Sequence, residues 1–524
     1  MALKYLYAPS GYKAGKTYGI LPNTSSADLA FSRNSKATRV NSTRLIDKGE
    51  SISSNDFAPS NFSSGWTGIG SGMTLSTGAA VFNKPAVGDV AYIRTNGDMT
   101  LLQSGVSYRI IIVVTSFTSA SQGKGLNYYH DPVSTIFPIT GVGTYEYRFT
   151  AKSTGLFFLD SNVGTSLTVG SVSIREITTT NLNTPRLDYT DGPNPTLLVE
   201  PERTNLVGYS ARGTYGNYPA SITQTLAPDG TNMATIPTPE SDFDRYNRIL
   251  HAATYTTGTK ITYSWYRKRL STPVISTYTG DLHIQSLINC TQVGNTIQIE
   301  TNINGYDRFS ATFNLDFSLT SGYTNAIIRL YFGEIIGTGN SSIAYFGHQA
   351  EVGEYATSYI PTSGGAITRV ADTGIISGDL SSYINSSEGV LEIKAKTLFN
   401  GGNDVRIGIS DGTSDNRISL VYGTGANSMV LFMKANGQQV LDGGTVDFKI
   451  LTGSFPQTDI TTFKIKWKSG DIQVKVNDTT IALSQTDTFT MVGLDQVRLD
   501  GGVGSNIFEG NVQYIKVYDT ANDF

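Results

Sequence analysis

Any chemistry in this chain would have to come from a few fragments whose residue types imitate known sites. Residues 11–17 read GYKAGKT, close to the loop whose backbone amides cradle a nucleotide phosphate. That loop needs four residues between its glycines, with a strand before and a helix after, so that the amides converge. Here three residues separate Gly11 from Gly15, and YGILPNTSS follows, which is no helix. Residues 408–412, GISDG, match the hydrolase nucleophile elbow literally. The elbow sets its serine on a strand-to-helix turn and takes its histidine from later in the chain. After Ser410 comes RISLVY, a strand pattern, and His130, His251, His283 and His348 all lie upstream. The fragment reads as a hairpin turn. Glu200 and Glu202 flank Pro201, but a glycosidase pair must face each other across a sugar, about 5–9.5 Å apart. Pairing with Arg186 or Arg203 suits these carboxylates better. No catalytic residue is assigned, and the chain is expected to be non-enzymatic.

Binding leaves softer traces. Asp411 and Asp415 share the loop SDGTSDN. Carboxylates with carbonyls are the hard ligands calcium takes, although the spacing is not that of an EF-hand. The same residues in a β-turn serve equally to satisfy the backbone. Calcium is therefore the one cofactor considered, on Asp411 and Asp415. Sugars offer an apolar face to aromatic rings and hydroxyls to polar side chains. Tyr128, Tyr129, His130 and Asp131 in NYYHDP, and Tyr215 and Tyr218 in GTYGNY, are the candidate glycan contacts. Ordinary loop packing is the alternative for both groups.

The composition limits what could position such residues. The 524 residues are only 16% charged, with 55 Gly, 29 Tyr and 23 Phe. Abundant aromatic, Thr and Ser residues between Gly turns suit many short strands. A net charge of -4 without a basic tract leaves no electrostatic footprint for nucleic acid. The single Cys290 rules out a disulfide framework within the chain and a cysteine-zinc site. No window approaches the ~20 apolar residues of a membrane helix. The opening MALKYLYAPSGYKAGKTYG lacks the apolar run of a signal peptide. Assembly in a host cytoplasm followed by release through lysis is the expectation.

Periodicity predicts an all-β chain of tandem β-sandwich (jelly-roll) domains. Residues 1–50 carry scattered Lys and Arg and little periodicity. They read as an extended arm that a partner surface orders, or as a disordered tail. Residues 51–178 hold the first sandwich, with SGVSYRIIIVV, YEYRFTA and SVSIREI as strands. Residues 179–206 contain Pro185, Pro193, Pro195 and Pro201 and read as a stiff connector, with neither helix nor central strand. Residues 207–364 form a second sandwich that repeats the first in order: GTKITYSWYRK, YDRFSATF and SIAYFGHQAEV echo the three earlier strands. Residues 365–524 form a third. There Phe463, Ile465 and Trp467 alternate with Lys464, Lys466 and Lys468 before a Ser469-Gly470-Asp471 turn, the pattern of a half-buried hairpin. Trp66, Trp265 and Trp467 fall one to each sandwich and read as core anchors.

Three segments resemble motifs common in tail and fibre proteins of bacterial viruses. They are FSRNSKATRVNSTRLID (residues 31–47), NTPRLDYTDGPNPTLLVEPERTNL (183–206) and GHQAEVGEYATSYIPTSGGAITRVAD (347–372). The sandwiches between them are similar only in pattern to carbohydrate-binding jelly rolls. EGNVQYIKVYD (509–519) resembles the closing strand of a laminin-G or concanavalin-like lectin. The resemblance implies a virion appendage exposed on the particle, docked through the N-terminal arm to other virion proteins and meeting host surface glycans. A homotrimer is the expected arrangement, since one axis can then run along a fibre. A capsid decoration protein without a receptor role, and a virion-borne polysaccharide-degrading enzyme, are the alternatives.

Overall fold

Short strands and tight turns account for nearly the whole described chain. The computed structural model describes residues 3–47, 51–52, 56, 58–84, 90–96, 101–103, 106–119, 126–128, 135–137, 139, 142–151, 154–161, 165–178, 182–208, 210, 222–230, 233–237, 246–251, 255–270, 284–319, 326–331, 343–362, 365–401, 404–423 and 425–524. Helical pieces among them are single turns such as Ser25–Ala27 and Ala521–Asp523. The all-β class and the sandwich architecture expected from periodicity are what the chain adopts. It divides into two compact units: Glu50–Thr180, and Met1–Gly49 together with Asn181–Phe524.

Unit Glu50–Thr180 is a sandwich of two antiparallel sheets. Its central strand, Ser107–Ser119, pairs with Gly143–Thr150 on one side and Thr165–Thr178 on the other. Side chains alternate across a strand, so Tyr108, Ile110, Ile112 and Val114 all enter one core, with Trp66, Phe82 and Phe157. The Trp66 indole lies edge-on to Phe62 and Phe157 and donates its N–H to the Pro59 carbonyl at 3.0 Å.

The other unit holds two sandwiches. In the first of them Lys260–Arg269 sits between Tyr306–Leu315 and Ile343–Val352, with Met233–Pro237 and Ile222–Leu226 beyond. This is the strand order of the preceding sandwich, and the three echoed segments occupy matching places. One strand differs. Cys290–Ile303 runs along the outer edge of Tyr306–Leu315. In the first sandwich the next strand after Leu126–Tyr128, Thr135–Phe137, joins the opposite sheet instead. Tyr263, Trp265, Phe309 and Phe313 fill the core.

The C-terminal sandwich sets Gly510–Tyr518, Glu388–Thr397, Thr461–Lys468 and Ile472–Val476 side by side against a second sheet built on Val405–Ser410, Arg417–Tyr422 and Met429–Ala435. The half-buried hairpin is present: Phe463 pairs with Val476 and Ile465 with Val474. Their side chains and that of Trp467 enter the core. The GISDG fragment is likewise a hairpin, with Ser410 opposite Arg417.

Two expectations about connecting segments need correction. The described part of the expected arm over residues 1–50, residues 3–47, is not an extended arm awaiting a partner. Leu3–Tyr7 pairs with Gly510–Tyr518, and Tyr5, Tyr7, Leu29 and Phe31 lie in the C-terminal core. Arg39–Val40 and Ile46–Asp47 form a ladder whose Val40 and Ile46 pack with Tyr266 and Tyr359 of the preceding sandwich. The connector also contains an inner strand. Thr196–Val199 pairs with Arg186–Asp188 on one side and Gly510–Tyr518 on the other, fully buried. Pro195 and Pro201 lie outside its ends, so no proline interrupts its ladder.

Tyr7 is fully buried, with its hydroxyl 3.1 Å from Thr17 Oγ1. Truncating an aromatic ring in a packed core costs about 3–5 kcal/mol. Tyr7→Ala is expected to lower the denaturant midpoint of unit Met1–Gly49/Asn181–Phe524, read by Trp467 fluorescence, while unit Glu50–Thr180 keeps its own transition.

Candidate functional site

The site begins with the period of a strand. Phe309, Ala311 and Phe313 enter the core, so Arg308, Ser310 and Thr312 point to the other face of the same sheet. Across the ladder Thr262 faces Thr312 and Ser264 faces Ser310. The register with Ile343–Val352 then slips between Ser264 and Tyr266. Gly347 sits at this bulge with φ +66°, and a Cβ there would lie 2.6 Å from the Tyr266 ring. The absent side chain at Gly347 leaves room for that ring. Tyr266 itself reaches the polar face by ordinary alternation, after Thr262 and Ser264 and opposite Arg308. Its hydroxyl donates to Glu300 Oε2 at 2.9 Å. Arg308 donates to Glu300 Oε1 at 2.7 Å and to Ser264 Oγ at 3.0 Å. Arg308 is only 1% exposed. Burial opposes its charge, but Tyr266 and Glu300 beside it more than compensate, and its guanidinium stays protonated.

Behind this face lies a buried ionic cluster. Arg186 donates to Glu200 and to Asp372. Arg369 reaches Glu200 Oε2 at 2.8 Å, and Arg33 reaches Asp372 Oδ1 at 2.8 Å. The Ser358 amide and hydroxyl donate to Glu200 at 2.6 and 2.7 Å, and the Glu200 amide donates to Asp372 Oδ2 at 2.9 Å. Arg369 also donates to the Thr357 hydroxyl, which donates to Glu351. Three buried guanidiniums thus meet two buried carboxylates directly and a third, Glu351, through the Thr357 hydroxyl. Burial alone would raise the Glu200 carboxyl, but Arg186, Arg369 and Ser358 hold it well below the usual carboxylate range. Burial and the neighbouring Arg186 bring Arg33 down to about 10. Of the two partners expected from the sequence, Arg186 or Arg203, Glu200 takes Arg186.

A cleft of about 670 Å³ opens over these groups, between the second sandwich and the C-terminal one. Its floor carries Tyr266, Glu300, Arg308 and Asp188. The edge strand Cys290–Ile303 supplies an apolar wall, with Val293 44% and Ile297 56% exposed. Phe399 and Tyr355 supply an aromatic wall, stacked with ring centroids 5.7 Å apart. The Tyr355 hydroxyl donates to Glu509 at 2.6 Å, which fixes the ring. Lys260 bonds Glu354 and Lys396 bonds Asp191, each at 2.6 Å. Asp188 accepts from the amides of Val40 at 2.9 Å and Thr190 at 3.1 Å, and burial pushes its carboxyl up to about 6. Volume, mixed walls and prearranged polar groups fit a small-molecule site.

Glu200 lines this cleft, whereas Asp411 and Asp415, the calcium candidates, do not. Tyr129, His130, Asp131, Tyr215 and Tyr218 lie outside the described residues, and Tyr128 is described only as backbone, in strand Leu126–Tyr128. Asp411 caps its own turn. It accepts from Thr413 N and Oγ1 at 2.8 and 2.7 Å and from Asn416 Nδ2 at 2.8 Å. Asp415 accepts from Ser414 Oγ at 3.2 Å. Among the described residues no group of three or more His, Cys, Asp or Glu side chains is placed to hold a metal. Arg308, Glu300 and Tyr266 escaped the sequence reading. Their strands alternate as any half-wet strand does, and nothing in YDRFSATF says that the wet face is covered.

The fold and cleft define the class: a multi-sandwich β protein with a ligand-sized cleft. No family model matches the chain, and no curated protein matches it. Among solved structures it is similar to the Ruminococcus gnavus IT-sialidase CBM40 bound to alpha2,3 sialyllactose, at 14% identity and TM-score 0.21, over 26% of this chain and 76% of that one. A second solved structure, of the Ruminococcus gnavus IT-sialidase CBM40, aligns at 13% identity and TM-score 0.21, over 26% of this chain and 81% of that one.

Removing one partner of a buried ion pair typically costs 3–5 kcal/mol, because the other charge is orphaned. Glu200→Gln is expected to destabilise its unit by about that amount in urea denaturation.

The pH dependence has opposing parts. Burial pulls His348 down to about 3 from 6.5, so the unfolded chain takes up its proton first and stability falls as pH drops through that window. Glu200 acts in the same direction, its contribution being lost on acidification below the ordinary carboxylate range. Asp188, raised to about 6 from 3.8, works the other way, gaining stability as pH falls from 6 to 4. Wild-type stability is expected to be nearly flat there and steep below. Asp188→Asn should remove the offset, leaving a slope of up to about 1.4 kcal/mol per pH unit from pH 6 downward in urea titrations.

Proposed function

We propose that this chain is a non-enzymatic structural appendage protein of a bacterial virus particle that holds host-surface glycan in the cleft between its second and third sandwiches. The observation that carries the glycan reading is the make-up of the cleft: an aromatic pair on one wall, exposed aliphatic side chains on the other, and a floor of fixed polar groups. Sugars need both kinds of surface. The virion reading is supported by the three segments that resemble viral tail and fibre proteins. Those segments supply Arg33, Arg186, Glu200, Arg369 and Asp372, so their shared wording has a physical reason in one cluster.

One observation favours degradation over binding. Asp188, with its raised carboxyl, and Glu300 line the same cleft. Yet Glu300 is held by Arg308 and Tyr266, and Asp188 by two backbone amides. Their bonds fix a floor rather than present an acid and a base, and binding is the better reading.

Phe399→Ala removes half of the aromatic pair from a partly exposed position. It is expected to weaken retention on host polysaccharide by about tenfold, the size of a lost ring contact of ~1–1.5 kcal/mol. Affinity electrophoresis measures this. Release of reducing ends by the wild-type protein would instead establish the enzyme, and retention unchanged in Phe399→Ala would remove the cleft from the binding site.

A further inference from the structure

We infer that the cleft selects uncharged saccharides and discriminates against those bearing carboxylates. The inference rests on the glycan reading above and gives it a ligand class. The cleft contains four cations among its described residues, and each already holds a carboxylate of this chain. Arg39 reaches Asp47 at 3.1 Å, Lys260 reaches Glu354 at 2.6 Å, Arg308 reaches Glu300 at 2.7 Å, and Lys396 reaches Asp191 at 2.6 Å.

An anionic sugar is usually gripped by an arginine or lysine whose donors are open toward it. Here it would have to draw a cation off its partner. On the floor that partner is Glu300, half of a pair with almost no water, and separating the two would leave a desolvated charge behind. At the rim the exchange is cheaper, but an incoming carboxylate would meet Glu354 or Asp191 beside the lysine it seeks, and like charges in contact repel. A neutral sugar requires no such exchange. Its hydroxyls bond to oxygens and nitrogens that are already oriented, and its C–H face covers Phe399 or Ile297. Electrostatics here fixes the cleft rather than attracting the ligand.

The test uses the full-length chain and isothermal titration with two probe sets: short neutral hexose and N-acetylhexosamine oligosaccharides, and the same backbones carrying sialic or uronic acid. Neutral probes are expected to bind with an affinity insensitive to salt, and acidic probes at least about tenfold more weakly. The variant Asp191→Asn/Glu354→Gln frees Lys396 and Lys260 at solvent-accessible positions. It should raise affinity for acidic probes several-fold and make that binding salt-sensitive. Equal or tighter binding of acidic probes by the wild type would overturn the inference while leaving the glycan reading intact. Acidic binding unmoved by the double variant would also count against it. Binding of neither set would overturn the glycan reading, and this inference with it.

Discussion

Glu200 and Asp372 cannot be buried as anions unless guanidiniums reach them, and the arrangement of the larger unit depends on meeting that condition. The effective penalty for taking an ion out of water is several kcal/mol. The three arginines that meet it come from far apart: Arg33 lies 339 residues from Asp372, and Arg186 lies 186 residues from it. The cluster forms only when the N-terminal segment, the connector and the segment leaving the second sandwich are all in register. Such a cluster contributes less to net stability than an apolar core of similar volume, because desolvation offsets most of the attraction. Its effect is on what the alternatives lose. A slip of any one segment leaves a buried charge without its partner.

This condition explains why the N-terminal residues and the connector belong to the C-terminal sandwich. Gly510–Tyr518 has Glu388–Thr397 along one side. Leu3–Tyr7 and Thr196–Val199 lie one after the other along its remaining side. Without them this edge would present open amides and carbonyls, a known route to unwanted pairing. The same two segments bring Arg33, Arg186 and Glu200 to the cluster. Strand addition and charge pairing therefore favour the same docking, and agreement between levels is what singles out one structure.

Legibility in the sequence followed the length of each periodic run. SGVSYRIIIVV is a long β-branched run and FKIKWK alternates with period two, each over enough residues to declare a strand, and the duplicated order of the first two sandwiches is legible from SGVSYRIIIVV and its echoes. The N-terminal segment could not, because pieces such as Tyr12–Lys13 and Lys16–Thr17 are two residues long and show no period. The connector misled for another reason: proline density was read as excluding a central strand, whereas Pro195 and Pro201 bracket Thr196–Val199 without entering it. The pairing of Glu200 with Arg186 was legible because a carboxylate beside a proline in a connector has few other uses. The cleft floor was not. Whether a strand's polar face meets water or a second layer is decided by segments more than a hundred residues away.

The cleft is lined in part by the second copy of a duplicated frame, and two local features shape it there. Cys290–Ile303 adds an edge strand to the sheet, whereas the corresponding strand in the first copy pairs within the opposite sheet. That added strand brings Glu300 to Arg308 and leaves Val293 and Ile297 standing at the rim. Gly347, at a bulge in the neighbouring strand, leaves room for the Tyr266 ring, whose hydroxyl donates to Glu300. Neither feature is needed to fill the hydrophobic core, which Trp265, Phe309 and Phe313 complete on the other face. Edge strands left exposed invite aggregation, and a left-handed glycine within a strand forgoes side-chain packing. The edge strand and the glycine therefore each carry a local cost, and both stand beside Tyr266 and Glu300 on the cleft floor.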